Sequence, residues 1–216
     1  MAIANYTELQ SELIDWFHRA DLNAKVPVFI QLGEAYLNRK LRTMDMETRS
    51  TASISTTSRY LALPTRFVEM VSLSMLDGDN WEELTFVDSS VLRENVASET
   101  TQAKPTLYTI KDELEFDSVS DQAYTLEMHY YKQYDIAADT TNWLLTNYPD
   151  LYMYASFTAA EMYLKNDNRV GGIKSLMAEA VRDLNISESR KRGNAMVTSR
   201  VDNGLVSLGS YNIYTG

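Results

Sequence analysis

Two histidines, no cysteine and a few acidic pairs are the residues of this 216-residue chain on which metal or nucleophilic chemistry would have to rest. His18 follows Phe17 in an apolar run and has no second histidine at ligand spacing, so it reads as a solvent-edge or satisfied imidazole. His129 falls on the face of its strand opposite Met128 and Tyr130, beside Glu127 and Tyr131, and reads the same way. Asp77-Gly78-Asp79-Asn80 partly matches a calcium loop but lacks the glycine at loop position six and the closing glutamate, which leaves a plain turn. Glu82 with Glu83, or Glu113 with Glu115, would serve as an acid/base pair only if held away from water. On an acidic, half-wet sheet they are expected to be solvated carboxylates. There is no phosphate-cradling glycine loop, no dinucleotide fingerprint and no nucleophile elbow. The expectation is therefore a protein with no catalytic residues, no metal and no cofactor.

Other residue types point to contact rather than turnover. Fourteen tyrosines supply many rigid amphipathic rings, a type enriched at protein interfaces and equally at home at core boundaries. The run Arg190-Lys191-Arg192 suits a solvated linker or an acidic protein partner better than a nucleic acid. The net charge is −10 and is unevenly spread. Residues 46–136 carry 7 basic and 16 acidic side chains, whereas residues 187–216 carry 4 and 2. A protein that grips duplex DNA needs a basic stripe to release counterions from phosphate, and the body of this chain would repel a phosphate backbone. The absence of cysteine suits a reducing cytoplasm. No apolar run approaches the ~18 residues a membrane span requires, and the first residues have no secretory pattern.

The hydrophobic period changes twice along the chain. Thr7-Glu8-Leu9-Gln10 reads as a capping box opening a helix from about Glu8 to Arg19. Pro27 suits the first turn of a second helix, running to about Thr43, in which Gly33 marks close packing against a neighbour. Residues 48–57 are rich in Ser and Thr with β-branched character, and strand signals follow: Arg59 to Pro64, Phe67 to Met75, and Trp81 to Leu84 after the Asp77–Asn80 turn. Asp88 or Ser89 caps a short helix over 90–96, with Glu94 near enough to complete the cap. Pro105 to Ile110, Glu113 to Phe116 and Ala123 to Tyr134 follow as strands, the last with Tyr124, Leu126, Met128 and Tyr130 on one face.

Helical spacing returns after Thr140. Pro149 opens a helix apolar almost all round, which implies burial on more than one side or contact with a neighbouring subunit. Val170 to Leu184 forms an amphipathic stripe, where Gly171 and Gly172 either delay the helix start or permit tight packing. From Ser187 the chain reads as basic and weakly structured, with Asp202-Asn203-Gly204 a possible hairpin turn. A segment with apolar content but too few residues for a core orders on a partner, by strand addition or along a groove.

The predicted fold is α+β: a helical bundle (residues 1–45 and 137–186, the N-terminal helices plus two C-terminal ones), an inserted antiparallel β meander of about six strands (46–136), and an extended C-terminal tail (187–216). Three ordered stretches, Tyr60-Leu61-Ala62-Leu63-Pro64-Thr65-Arg66-Phe67, Pro105 to Ile110 followed by Leu114-Glu115-Phe116 and Tyr124 to Tyr131, and Trp143 to Ala155 ending near Asp167, together resemble the tailed-phage adaptor family. Those are head-to-tail connector, or head-completion, proteins distantly similar to tail tubular protein A. The resemblance covers about residues 60–185. A proline that usually follows the second stretch's strand is replaced by Asp117-Ser118-Val119-Ser120-Asp121, so the turn into the long strand is expected to differ.

The resemblance implies a structural virion protein: a homo-oligomeric ring of about twelve copies under the portal, with heterologous contacts closing on rotation. It implies a head-to-tail junction assembled in the host cytoplasm, with the portal protein and a tail or nozzle protein as partners, genomic DNA passing through without specific binding, and no membrane. It also implies a C-terminal segment that docks on the portal, here carried by Arg190, Lys191, Arg192, Val197, Val201, Leu205, Leu208, Tyr211, Ile213 and Tyr214. Bundle and subunit contacts fall to Tyr152, Tyr154, Phe157, Tyr163, Ile173, Leu176 and Leu184. The rival readings are another neck or tail protein, such as a tail terminator, and a small α+β enzyme.

Overall fold

A computed structural model describes residues 3–96, 101–165 and 167–202. The chain divides into two units, Met1–Thr43 with Ile136–Gly216, and Met44–Asp135. Among the described residues no helix is long and apolar enough to cross a membrane. The fold class is α+β, with antiparallel strand pairing predominant.

In the first unit, helix α1 (Tyr6–Phe17) starts two residues earlier than the sequence pattern suggests. Asn5, not Thr7, is its cap: the Asn5 side chain accepts from the Glu8 amide at 3.0 Å, and the Glu8 carboxylate accepts from the Ala4 amide at 2.7 Å. Asparagine at N-cap with glutamate at N3 is itself a capping pair, so Glu8 takes the role assigned to Gln10. The helix stops where His18 turns left-handed, at φ 50°. A 3₁₀ turn over Ala20–Lys25 leads into α2 (Val26–Lys40), with Pro27 in its first turn. Two short helices, α4 (Ile136–Asp139) and α5 (Trp143–Asn147), precede α6 (Pro149–Tyr163). At Gly33 a Cβ would lie 2.9 Å from the Ala155 carbonyl carbon and the Ser156 nitrogen. The α2 and α6 backbones therefore touch there, and only glycine permits it.

The last helix, α7, runs from Asp167 to Asp202. It corrects the reading of residues from Ser187 as weakly structured: Arg190, Lys191 and Arg192 are helical. Arginine, lysine, glutamate and alanine are good helix formers, and a helix needs no apolar stripe along its whole length once its first turns are packed. The turn proposed at Asp202-Asn203-Gly204 finds Asp202 still helical, and its other two residues lie outside the described ones. Gly171 and Gly172 sit inside α7 with open space where a Cβ would be, so they neither delay its start nor serve tight packing.

The second unit holds eight strands among the described residues: β1 (Glu47–Ser53), β2 (Tyr60–Ala62), β3 (Phe67–Asp77), β4 (Asn80–Glu83), β5 (Thr85–Phe86), β6 (Leu107–Ile110), β7 (Glu113–Phe116) and β8 (Thr125–Lys132). Helix α3 (Ser89–Asn95) lies between β5 and β6, capped by Asp88. The strands form two four-stranded sheets, ordered β1-β8-β3-β4 and β2-β7-β6-β5. This departs from a simple meander. β8 returns to pair antiparallel with both β1 and β3, and β5 pairs with β6 in parallel. Tyr124, Leu126, Met128 and Tyr130 lie on one buried face, joined by Leu73 and Met75 of β3 and by Leu114 and Phe116 of β7 in a single cluster. One apolar layer therefore draws on both sheets, as in a sandwich.

The Asp117–Asp121 turn is stitched by its own polar atoms. Asp117 accepts from the Thr106 amide at 3.1 Å and its hydroxyl at 2.8 Å. The buried hydroxyls of Ser118 and Ser120 donate to the carbonyls of Ala103 and Gln122. Side-chain acceptors here replace the constraint a proline would impose.

Candidate functional site

The candidate catalytic groups are dispersed, and several of them meet opposite charges. His129 Nε2 lies 3.1 Å from Glu127 Oε1 on a half-exposed strand face. Lys104 bridges the β3–β4 hairpin, 2.6 Å from Asp77 and 2.8 Å from Glu82; hydrogen bonds to both carboxylates raise the affinity of its ammonium for its proton. Glu115 is an exception to the expectation of solvated carboxylates: it is buried, gripped by Arg59 at 3.2 Å and Lys111 at 2.9 Å. Glu113, two residues away, is exposed. Among the described residues no group of three metal-ligating side chains converges.

The tail residues separate into two groups. Lys191 bonds Glu188 at 2.6 Å and lies 5.3 Å from the centre of the Trp143 ring, and Arg192 reaches the Arg42 carbonyl. These two cations thus engage their own chain, while Arg190 is exposed. Val197 and Val201 fall on helical backbone, and Leu205, Leu208, Tyr211, Ile213 and Tyr214 lie outside the described residues.

The helical residues assigned to bundle and subunit contact also divide. Tyr152 and Leu184 are fully enclosed in their own unit. The Tyr152 hydroxyl donates to Glu34 Oε1 at 2.7 Å and accepts from Asn142 Nδ2 at the same distance; the Ile136 amide donates to that Glu34 oxygen at 2.8 Å. This buried network ties α2, α6 and the start of α4 together. Tyr154, Phe157, Ile173 and Leu176 instead line a cleft of about 570 Å³ formed by the end of α1, one face of α6 and the first turns of α7. Tyr163 is exposed beyond it, its ring 5.6 Å from that of Phe29.

Helical spacing builds this cleft. Tyr154, Phe157, Glu161 and Leu164 follow one another at steps of three and four on α6, and Arg169, Ile173 and Leu176 do the same on α7. Trp16 and Phe17, in the last turn of α1, close the third side, their rings 5.6 and 5.2 Å from Phe157. The wall is largely aromatic and aliphatic, with Arg19, Lys165 and Arg169 also lining it, and it contains one buried carboxylate. Glu161 Oε1 meets Arg169 at 3.3 Å, and Oε2 has no hydrogen-bond partner among the described residues. Trp16 and Glu161 were not singled out in the sequence; each looks like an ordinary helical residue until three helices bring them together.

The cleft and the exposed apolar side chains around it leave large apolar groups at the surface of the helical unit. A search of the curated proteins found no match. The family model for the SU10 adaptor protein matches residues 4–201, nearly the whole of both units, and the chain therefore belongs to that family of phage head–tail adaptor proteins, structural components of the virion.

Proposed function

We propose that the chain is one subunit of an adaptor ring of about twelve copies that joins the portal to the tail and continues the DNA channel. The observation that carries this reading is the set of large apolar side chains left in water on the helical unit, Trp16, Leu32, Met162, Tyr163 and Leu176 among them. Patches of this kind mark surfaces that another protein covers. The β-rich insert faces the channel or the next tail component. Its excess of acidic groups lets DNA slide past without forming phosphate ion pairs. The C-terminal tail residues dock on the portal through apolar and backbone contacts.

Mixing the purified chain with portal rings and measuring the mass of the product tests this. A complex carrying about one adaptor per portal subunit is the expected result. A chain that leaves portal rings unaltered but joins an isolated tail or neck component would instead support a different position in the virion. Reproducible turnover of a metabolite without any assembly would remove the structural reading altogether.

A further inference from the structure

We infer that the β1-β8-β3-β4 sheet continues from one copy of this chain into the next, strand β4 of one copy pairing with the open edge of β1 in its neighbour. The inference rests on the ring reading and adds to it the two strands that meet.

The sheet has two edges, β1 and β4, and its ladder shows which backbone groups each leaves outside. The Ile54 amide donates to the Tyr124 carbonyl at 3.0 Å, so Ile54 turns its amide toward β8. Alternation along the strand sends the peptide groups of Ala52, Ser50 and Thr48 the same way, and those of Arg49, Thr51 and Ser53 outward. At the opposite edge the Leu84 amide donates to the Leu73 carbonyl at 2.9 Å, which leaves the peptide groups of Trp81 and Glu83 facing out. No hydrogen bond among the described residues uses these outward groups, and all five residues are exposed. β1 keeps an unbroken register against β8 over seven residues, with no bulge and no proline. An edge without those protections is a template for another strand.

Direction, face and charge select a second copy as the occupant. Neighbouring strands of this sheet are all antiparallel, so β4 runs opposite to β1. Copies laid edge to edge therefore meet antiparallel, the pairing the sheet already uses. Trp81 and Glu83 share one face with Arg49 and Thr51, opposite the face that buries Leu73, Met75, Leu126 and Met128. Setting Glu83 against Arg49 places Trp81 against Thr51, an ion pair beside an aromatic and β-branched pair, both favourable across strands. A slip of two residues sets Glu83 against Glu47 in one direction and against Thr51 in the other, so charge fixes the register. Arg49 lies 3.5 Å from its own Glu127 and is 65% exposed, which leaves guanidinium N–H groups for Glu83. Two different edges make a head-to-tail contact, the kind that closes into a ring.

The absence of cysteine permits a direct test. Opposed residues in such a pair have Cα atoms about 5.5 Å apart, within disulfide reach. Full-length Thr51→Cys and Trp81→Cys variants are oxidised separately and as a mixture, alone at high concentration and with portal rings. The expected product is a disulfide-linked dimer that forms in the mixture and only weakly with either variant alone. Thr51→Pro removes an outward N–H that its own sheet does not use, so it should keep the parent's circular dichroism and lose assembly. Should that variant lose its fold, the cysteine mixture decides. Glu83→Arg should weaken association about fivefold, and Glu83→Arg combined with Arg49→Glu should restore it. Assembly without preferential mixed dimers, or a folded Thr51→Pro variant that assembles like the parent, overturns the shared sheet and leaves the ring reading in place. A chain that neither assembles nor cross-links under any of these conditions overturns both.

Discussion

Tyr152 of α6 donates its hydroxyl to Glu34 of α2 at 2.7 Å, with both side chains buried. The bond joins residues far apart in sequence, and it directs the largest fully buried side chain among the described residues inward. It also makes Glu34, an acid in the middle of an amphipathic helix, a structural acceptor for both the Tyr152 hydroxyl and the Ile136 amide.

Replacing Tyr152 with Phe keeps the ring and deletes the hydroxyl. The partly buried Asn142 amide then loses its acceptor, and the buried Glu34 loses a donor. The expected cost is about 1–3 kcal/mol of stability, read as a lower urea midpoint with an unchanged slope.

Gly33→Ala sets two effects against each other. Alanine favours a helix interior by about 1 kcal/mol over glycine, but the new Cβ would stand 2.9 Å from backbone atoms of Ala155 and Ser156, which cannot rotate away. Steric overlap wins, and α2 and α6 must separate. A net loss of about 1–3 kcal/mol is expected, seen as a lower thermal midpoint by circular dichroism. A stabilised variant would show that the helices have room to spare.

Asp88 caps α3, accepting from the Ser90 amide at 2.9 Å and the Ser90 hydroxyl at 2.7 Å. The backbone bond first, then the hydroxyl, holds its carboxyl below the usual aspartate range. A folded-state value below the unfolded one means the carboxylate's contribution is present above the ordinary value of about 3.9. It is lost as pH falls through the folded value. Asp88→Ala should therefore unfold more easily than the parent at neutral pH, and the gap should narrow on acidification. Unfolding midpoints of both proteins across an acid series check this.

Cutting the chain after Asp202 tests the tail assignment better than cutting at Ser187. The earlier cut would remove Glu188, Lys191 and Arg192, which contact their own unit. The later cut keeps these contacts and should abolish capture by portal rings, with circular dichroism used to check that the truncated chain folds. Undiminished capture would mean that portal contacts lie elsewhere.

Much of this protein follows from rules that act within a few residues. Pro27 and Pro149 open helices because their fixed φ and missing N–H suit a first turn. Asp88 caps α3 because a short side-chain acceptor reaches nearby amides. The alternation from Tyr124 to Tyr130 assigns β8 its buried face, since successive side chains in a strand point to opposite sides. Gly33 was legible as a close approach for the same local reason, though not its partner.

Other features were settled only by residues distant in sequence. Nothing local tells β8 to lie between β1 and β3, because a strand's hydrogen-bonding edges look alike whichever strand they meet. Glu115 resembles its exposed neighbour Glu113 in type, and it is buried because Arg59 and Lys111 arrive beside it with compensating charge. The helical turns past Ser187 extend beyond the apolar stripe, because propensity and packing of the earlier turns carry α7 onward. The cleft itself belongs wholly to tertiary structure. Trp16, Phe157, Glu161 and Leu176 each obey their own helix's periodicity, but a concave surface with an unpaired carboxylate oxygen exists only once three helices have packed, because concavity is a property of neighbours and not of any one segment.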